Sequence, residues 1–168
     1  MRPSLVMLLF APALAVFGCK ELSFPTPGGE EFLATLSGAN HVPPVPTTAT
    51  GTATFAVSLD TFLTYRIDVA TIDSPTVAYV QEGAAGVAGA IIVTLYAGPT
   101  RNQLDFTGPL GINQFRPSTL TQLPASYGAT PRERFDSLLI LMRSGNVYVN
   151  VRSRLNVNGE LRGQIQPQ

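Results

Sequence analysis

Apolar and polar residues alternate with a period of two through most of this chain, and few folds accept that period. Ala53, Phe55, Val57 and Leu59 interleave with Thr52, Thr54, Ala56 and Ser58; Leu63, Tyr65, Ile67 and Val69 interleave with Thr64, Arg66, Asp68 and Ala70. Successive side chains of an extended strand point to opposite faces, so each run has one apolar face and one wet face. Asp60-Thr61 joins the two runs, which predicts an antiparallel hairpin. Phe32, Ala34 and Leu36 predict an earlier strand, followed by the proline-rich loop His41-Val42-Pro43-Pro44-Val45-Pro46. Residues 76–81 and 90–96 are two further apolar runs, and the glycine-rich residues 83–89 between them read as a flexible connection. Leu104 and Phe106 predict a weaker strand that stops at the turn-rich Gly108-Pro109-Leu110-Gly111. Val147, Val149 and Val151, then Leu161 and Ile165, predict a closing pair of strands with Asn158-Gly159 as their turn.

One segment breaks the period. Thr130, Pro131 and Glu133 match a helix N-cap, first position and capping box, in which side chains satisfy orphan backbone donors. Phe135, Leu138, Leu139 and Met142 follow as a single apolar stripe, and Gly145 supplies a left-handed stop. A shorter helical turn is expected at residues 118–123. The fold expected is mostly β: one antiparallel β-sandwich or Greek-key barrel of about seven to eight strands, with one packed α-helix at about residues 131–144.

Residues 1–18 read as a targeting segment, 19–30 as an anchor cysteine and tether, and 31–168 as the domain. Arg2 precedes an apolar run over residues 5–17 that would reach roughly 21 Å as a helix. A membrane core is about 30 Å thick, so the run is too short to be a permanent span. Val16-Phe17-Gly18-Cys19 resembles the bacterial lipobox, which implies cleavage before Cys19 and its acylation. The lysine after it, Lys20, resembles an outer-membrane sorting pattern. The location expected is the bacterial cell envelope, lipid-anchored, at the outer membrane or cell surface.

Cys19 is the only cysteine, so no disulfide or thiolate chemistry remains for the domain. Without Arg2 the chain carries ten basic and eleven acidic residues, and no basic stripe suited to nucleic acid.

Four segments in order resemble the CHRD domain. They are Leu36-Ser37-Gly38-Ala39-Asn40-His41-Val42-Pro43-Pro44 with Thr50-Gly51-Thr52-Ala53; Ala78-Tyr79-Val80-Gln81-Glu82-Gly83 running on through Gly89-Ala90; Gly145-Asn146-Val147-Tyr148-Val149-Asn150-Val151-Arg152; and Gly159-Glu160-Leu161-Arg162-Gly163-Gln164-Ile165. The resemblance implies a binding or scaffolding module without fixing a ligand. The family's second segment usually reads His-x-His, where this chain has Tyr79 and Gln81, and its third usually ends in histidine, where it has Arg152. Two imidazoles at i and i+2 share a strand face and can hold a metal with a third from a neighbour, whereas arginine cannot coordinate a cation. No metal site and no cofactor is expected.

His41 is the only histidine. It is either a ligand or general base, or an exposed loop residue beside two prolines, and the lack of any clustering partner favours the loop residue. Residues 83, 86 and 89 are glycines without the spacing of a phosphate-binding loop. Glu160 and Arg162, near Arg152, form either an anion-binding patch or a cross-strand charge pair, with the pair favoured. Tyr148 shares the Arg152 face and either stacks on a ligand or covers the sheet.

No G-x-S-x-G, H-E-x-x-H or calcium-loop motif is present, and a Ser-His-Asp triad would have to use His41. The expectation is a non-enzymatic, envelope-side binding or scaffolding module whose ligand is an envelope protein or polymer. Its candidate surface comprises Tyr79, Gln81, Glu82, Tyr148, Arg152 and Arg162. The alternatives are a carboxylate-dependent hydrolase of envelope polymers, which needs paired acidic residues in a cleft, and a metal protein that has lost its histidines.

Overall fold

A computed structural model describes residues 29–58, 61–120 and 122–168. The targeting segment, Cys19, nearly all of the tether, and Leu59 and Asp60 of the first hairpin lie outside the described residues.

The strands are β1 (Glu31–Ser37), β2 (Thr50–Ser58), β3 (Phe62–Ile72), β4 (Pro75–Glu82), β5 (Ile91–Tyr96), β6 (Phe106–Phe115), β7 (Val147–Ser153), β8 (Leu161–Gln164) and β9 (Gln166–Pro167), with one α-helix, α1 (Pro131–Arg143), before β7. All pair antiparallel in one sheet of order β5-β4-β7-β8-β1-β2-β3-β6, with β9 added to β1. The sheet curls until its two ends approach: the Tyr65 hydroxyl of β3 donates to the Leu95 carbonyl of β5 at 2.5 Å. The result is a nearly closed antiparallel barrel with one helix, as the alternation requires.

The expected in/out pattern holds in register. Phe32 faces Phe55, which faces Tyr65, and all three are buried, while Leu33, Thr54 and Arg66 form the outer row. Each buried Phe or Leu of this inner face contributes about 1.5–3 kcal/mol of hydrophobic stabilisation. α1 forms where its caps predict: Thr130 accepts from the Glu133 backbone at 3.2 Å, and the Glu133 carboxylate accepts from the Thr130 backbone at 3.1 Å. Phe135, Leu138, Leu139 and Met142 all enter the barrel core, and Gly145 ends the helix at φ 66°.

Four expectations need correction. Gly108-Pro109-Leu110-Gly111 is not a turn, because β6 runs through it beside β3, with register shifts that accommodate Pro109. The closing strands are joined by a loop over residues 154–160 rather than by a tight turn at Asn158-Gly159. The helical turn near residues 118–123 is instead two 3-10 turns, Pro117–Thr119 and Ala125–Tyr127, flanking the buried Leu120 and Leu123. Residues 83–89 are no flexible connection. Gly83 donates to the Asn146 carbonyl at 2.8 Å, Gly89 donates to the Tyr148 hydroxyl at 3.1 Å, and side chains from β4 and β8 hold its carbonyls.

Candidate functional site

Among the described residues, β7 is a long strand buried on both faces: Val147, Val149 and Val151 point into the barrel, and Tyr148 and Asn150 are as dry on the other side. Register puts Tyr79 of β4 opposite Asn150 and Asn150 opposite Arg162 of β8; Gln81 and Gln164 flank Tyr148 in the next row. A polar layer therefore lies on the outer face of three adjacent strands. Two loops cover it, the proline-rich loop after β1 and residues 83–89.

Buried polar groups need partners, and here the backbone of the covering loops supplies most of them. The Gln81 amide donates to the Gly89 carbonyl at 2.9 Å, which turns its oxygen toward the Asn150 amide, a donor at 2.6 Å. Asn150 Nδ2 also donates to the Asn158 carbonyl at 3.0 Å, so the orientation of the amide is fixed by both of its donor contacts. Asn150 Oδ1 is left buried with no partner. It faces Gly159, where a Cβ would stand 2.2 Å from that oxygen and 2.3 Å from His41 Nε2; only glycine lets both approach.

Arg162 is 3% exposed, and its Nη2 donates to the carbonyls of Ala84 at 3.0 Å and Val87 at 2.8 Å. Its guanidinium lies over the Tyr148 ring, and burial pulls its pKa downward. Ion pairs among the described residues join Arg66 to Asp68, Arg132 to Asp136 and Arg143 to Glu30, and Arg162 has no carboxylate partner among those residues. A buried cation held only by carbonyls and a ring retains unspent capacity for an anion.

These residues line a cleft of about 290 Å³ bounded by His41, Val42, Pro43, Gln81, Ala88, Tyr148, Asn150, Asn158 and Arg162. A neighbouring hollow of about 410 Å³ shares His41, Val42 and Arg162 with it. No Asp or Glu lines either, so neither presents the paired carboxylates that a hydrolase would use.

Of the six candidate residues, the structure gathers Gln81, Tyr148 and Arg162 at this cleft. Tyr79 and Arg152 stand beside it on the same sheet face, the Arg152 guanidinium 5.0 Å from the Tyr79 ring centre. Glu82 does not belong: it accepts a short hydrogen bond from the Tyr127 hydroxyl on the other side of β4. Glu160 and Arg162 are no charge pair, since Glu160 instead accepts from Thr47 at 2.7 Å and from Asn156 at 3.1 Å. His41 is not a plain exposed loop residue either, because it lines the cleft half-buried. Asn150 escaped the sequence reading. Its signal was an asparagine, a poor strand former, fixed between three valines of a central strand.

The positions where the family's histidines would stand do share one face, but their present occupants do not fit a metal. Arg152 has no lone pair to donate, and its Nε is buried without a partner. Among the described residues no group of three or more His, Cys, Asp or Glu is placed to hold an ion.

Compared with known families, the chain matches the CHRD domain over residues 32–165, nearly all of the barrel. No curated protein and no solved structure matches it.

Proposed function

Because the chain belongs to the CHRD domain family, small β-domains not known as enzymes, we infer that it is a non-catalytic binding module. The observation that carries this reading is the cleft over β4, β7 and β8, where Asn150 Oδ1 is buried without a partner and the Arg162 guanidinium, held by two loop carbonyls, has no carboxylate partner among the described residues. Groups left in this state are costly in a folded chain unless something else completes them. A ligand entering the cleft would do so. The finer reading is a lipoprotein of the bacterial envelope, tethered through acylated Cys19 at the outer membrane or cell surface, whose ligand is an envelope protein or polymer. The residue pattern before Cys19 supports the anchor.

Each part has its own test. Cys19→Ser should release the chain from membranes or leave it uncleaved; a mature N-terminus elsewhere without an acyl mass rules the anchor out. Ala88 lies on the cleft wall outside the polar network. The full chain should be retained on solubilised envelope material, and Ala88→Arg should abolish retention by filling the cleft. Retention that ignores Ala88→Arg would move the binding function elsewhere on the molecule.

A further inference from the structure

The cleft has a donor wall and an acceptor wall, and they call for different chemistry. On one side Arg162 uses only Nη2 on the protein, leaving Nε and Nη1 without hydrogen bonds to the described residues. The Tyr148 hydroxyl beside it accepts from Gly89 and keeps its own hydrogen to give. On the other side stands Asn150 Oδ1, buried and unpartnered, in an amide whose orientation its own donor contacts fix. His41 completes that wall. Its Nδ1 is 2.9 Å from the Pro43 carbonyl, an acceptor only, so the neutral ring carries its proton there and presents Nε2 as a bare lone pair. Nε2 and Asn150 Oδ1 flank the same point beside Gly159.

We propose that this cleft binds a zwitterionic α-amino-acid head: its carboxylate on Arg162 and the Tyr148 hydroxyl, its ammonium on Asn150 Oδ1 and His41 Nε2. Simpler occupants leave one wall unanswered. Water serves the two acceptors but leaves the buried guanidinium without a counter-charge. A lone anion meets the donors but faces two acceptors across the cleft. A metal ion would find two neutral ligands and a fixed positive charge beside them. The volume of about 290 Å³ suits a small ligand, and Val42, Pro43 and Ala88 provide apolar wall for a short side chain. The head can belong to a free amino acid or to the unblocked end of a longer stem.

The inference rests on the binding-module reading and names its ligand. The full chain in detergent is titrated by NMR with five probes: L-alanine, D-alanine, Nε-acetyl-L-lysine, N-acetyl-L-alanine and L-alanine methyl ester. At least one of the first three should bind, with shifts at residues 148, 150 and 162. Each of the last two, lacking the ammonium or the carboxylate, should bind about tenfold more weakly or worse. Alanine tighter than acetyl-lysine marks a free amino acid as the source, and the reverse marks a stem-borne head. His41→Phe, at a half-buried loop position, should keep the fold and lose about tenfold in affinity. Equal binding of either blocked form, or no binding by all five, overturns the assignment. If the probes fail while Ala88→Arg still abolishes retention on envelope material, the zwitterion site falls and the binding module stands.

Discussion

The guanidinium of Arg162 lies 3.5 Å from the centre of the Tyr148 ring, with both side chains only 3% exposed. Neighbouring strands bring them together: Tyr148 sits on β7 one row from Asn150, the register partner of Arg162 on β8. The stack holds the cation beneath residues 83–89, and Nη2 donates to the Ala84 and Val87 carbonyls. A cation over a desolvated aromatic ring gains about 2 kcal/mol, which offsets part of the cost of burying it.

Arg162 therefore pins the loop, and Arg162→Met should free it. Amides of residues 84–89 should exchange with solvent about thirtyfold faster, as expected on losing two hydrogen bonds worth about 1 kcal/mol each. Global stability should change by less than about 1 kcal/mol, because removing an unpaired buried charge offsets those bonds. Hydrogen exchange read by mass spectrometry decides it; unaltered protection of the loop would show that other contacts hold it.

The helix stripe gives a paired test of core packing. Leu138 is 1% exposed and Ile140 60% exposed on the same helix. Leu138→Ala should cost about 2–5 kcal/mol in a urea melt, and Ile140→Ala no more than about 0.5 kcal/mol. Equal losses would mean that the helix does not present this face to the barrel.

Two tyrosines should be hard to ionise. Burial pushes the Tyr65 hydroxyl up to about 12. Burial, the Glu82 hydrogen bond and the Glu82 charge push Tyr127 up to about 12 as well. Each keeps its proton in the folded chain where the unfolded chain, near 10, has released it. Their contribution to stability is full below pH 10 and is lost as pH rises toward 12. Melting temperature should fall across that window, and Tyr127→Phe should flatten part of the fall. A flat curve for the native chain contradicts the assignment.

The face that carries Tyr79, Gln81 and Arg152 should accept a metal once its side chains allow it. The native chain should take up neither zinc nor copper there, with a melting temperature that ignores chelators. The triple substitution Tyr79→His, Gln81→His and Arg152→His removes the stacked guanidinium and places three imidazoles on adjacent strands. It should bind one zinc ion and melt higher with metal than with chelator. Zinc in the native protein, lost on Gln81→Ala, would reverse this reading.

How much of this was legible in the sequence depended on how local each signal is. The Thr130–Glu133 capping box and the β2–β3 hairpin rest on contacts between near neighbours, and both stand as expected. β6 was cut short because Pro109 reads as a breaker; its tolerance depends on β3, whose register shifts make room for it. The rigidity of residues 83–89 was invisible for the same reason, since its glycines and alanines are held by Arg162 and Gln164 from roughly 80 positions away. The sequence flagged Gln81, Tyr148 and Arg162 singly, through the family resemblance and strand spacing. It gave no sign that His41 would be carried to Asn150, because that meeting depends on Gly159 leaving the space open.

The seam between β5 and β6 has a consequence for how these molecules behave in a crowd. Tyr65 bridges it by a hydroxyl to the Leu95 carbonyl, and Gln122 takes the Thr94 amide, so side chains rather than a backbone ladder close the seam and the two flanking strands remain rims of the sheet. Such rims are the usual starting points of aggregation. On the β6 side, Pro109 removes a donor and the irregular register bends the strand, two devices that spoil it as a template. The β5 side is short, six residues from Ile91 to Tyr96, with irregular pairing to β4. The same departures from regular strand that obscure β6 in the sequence protect the molecule from its own copies.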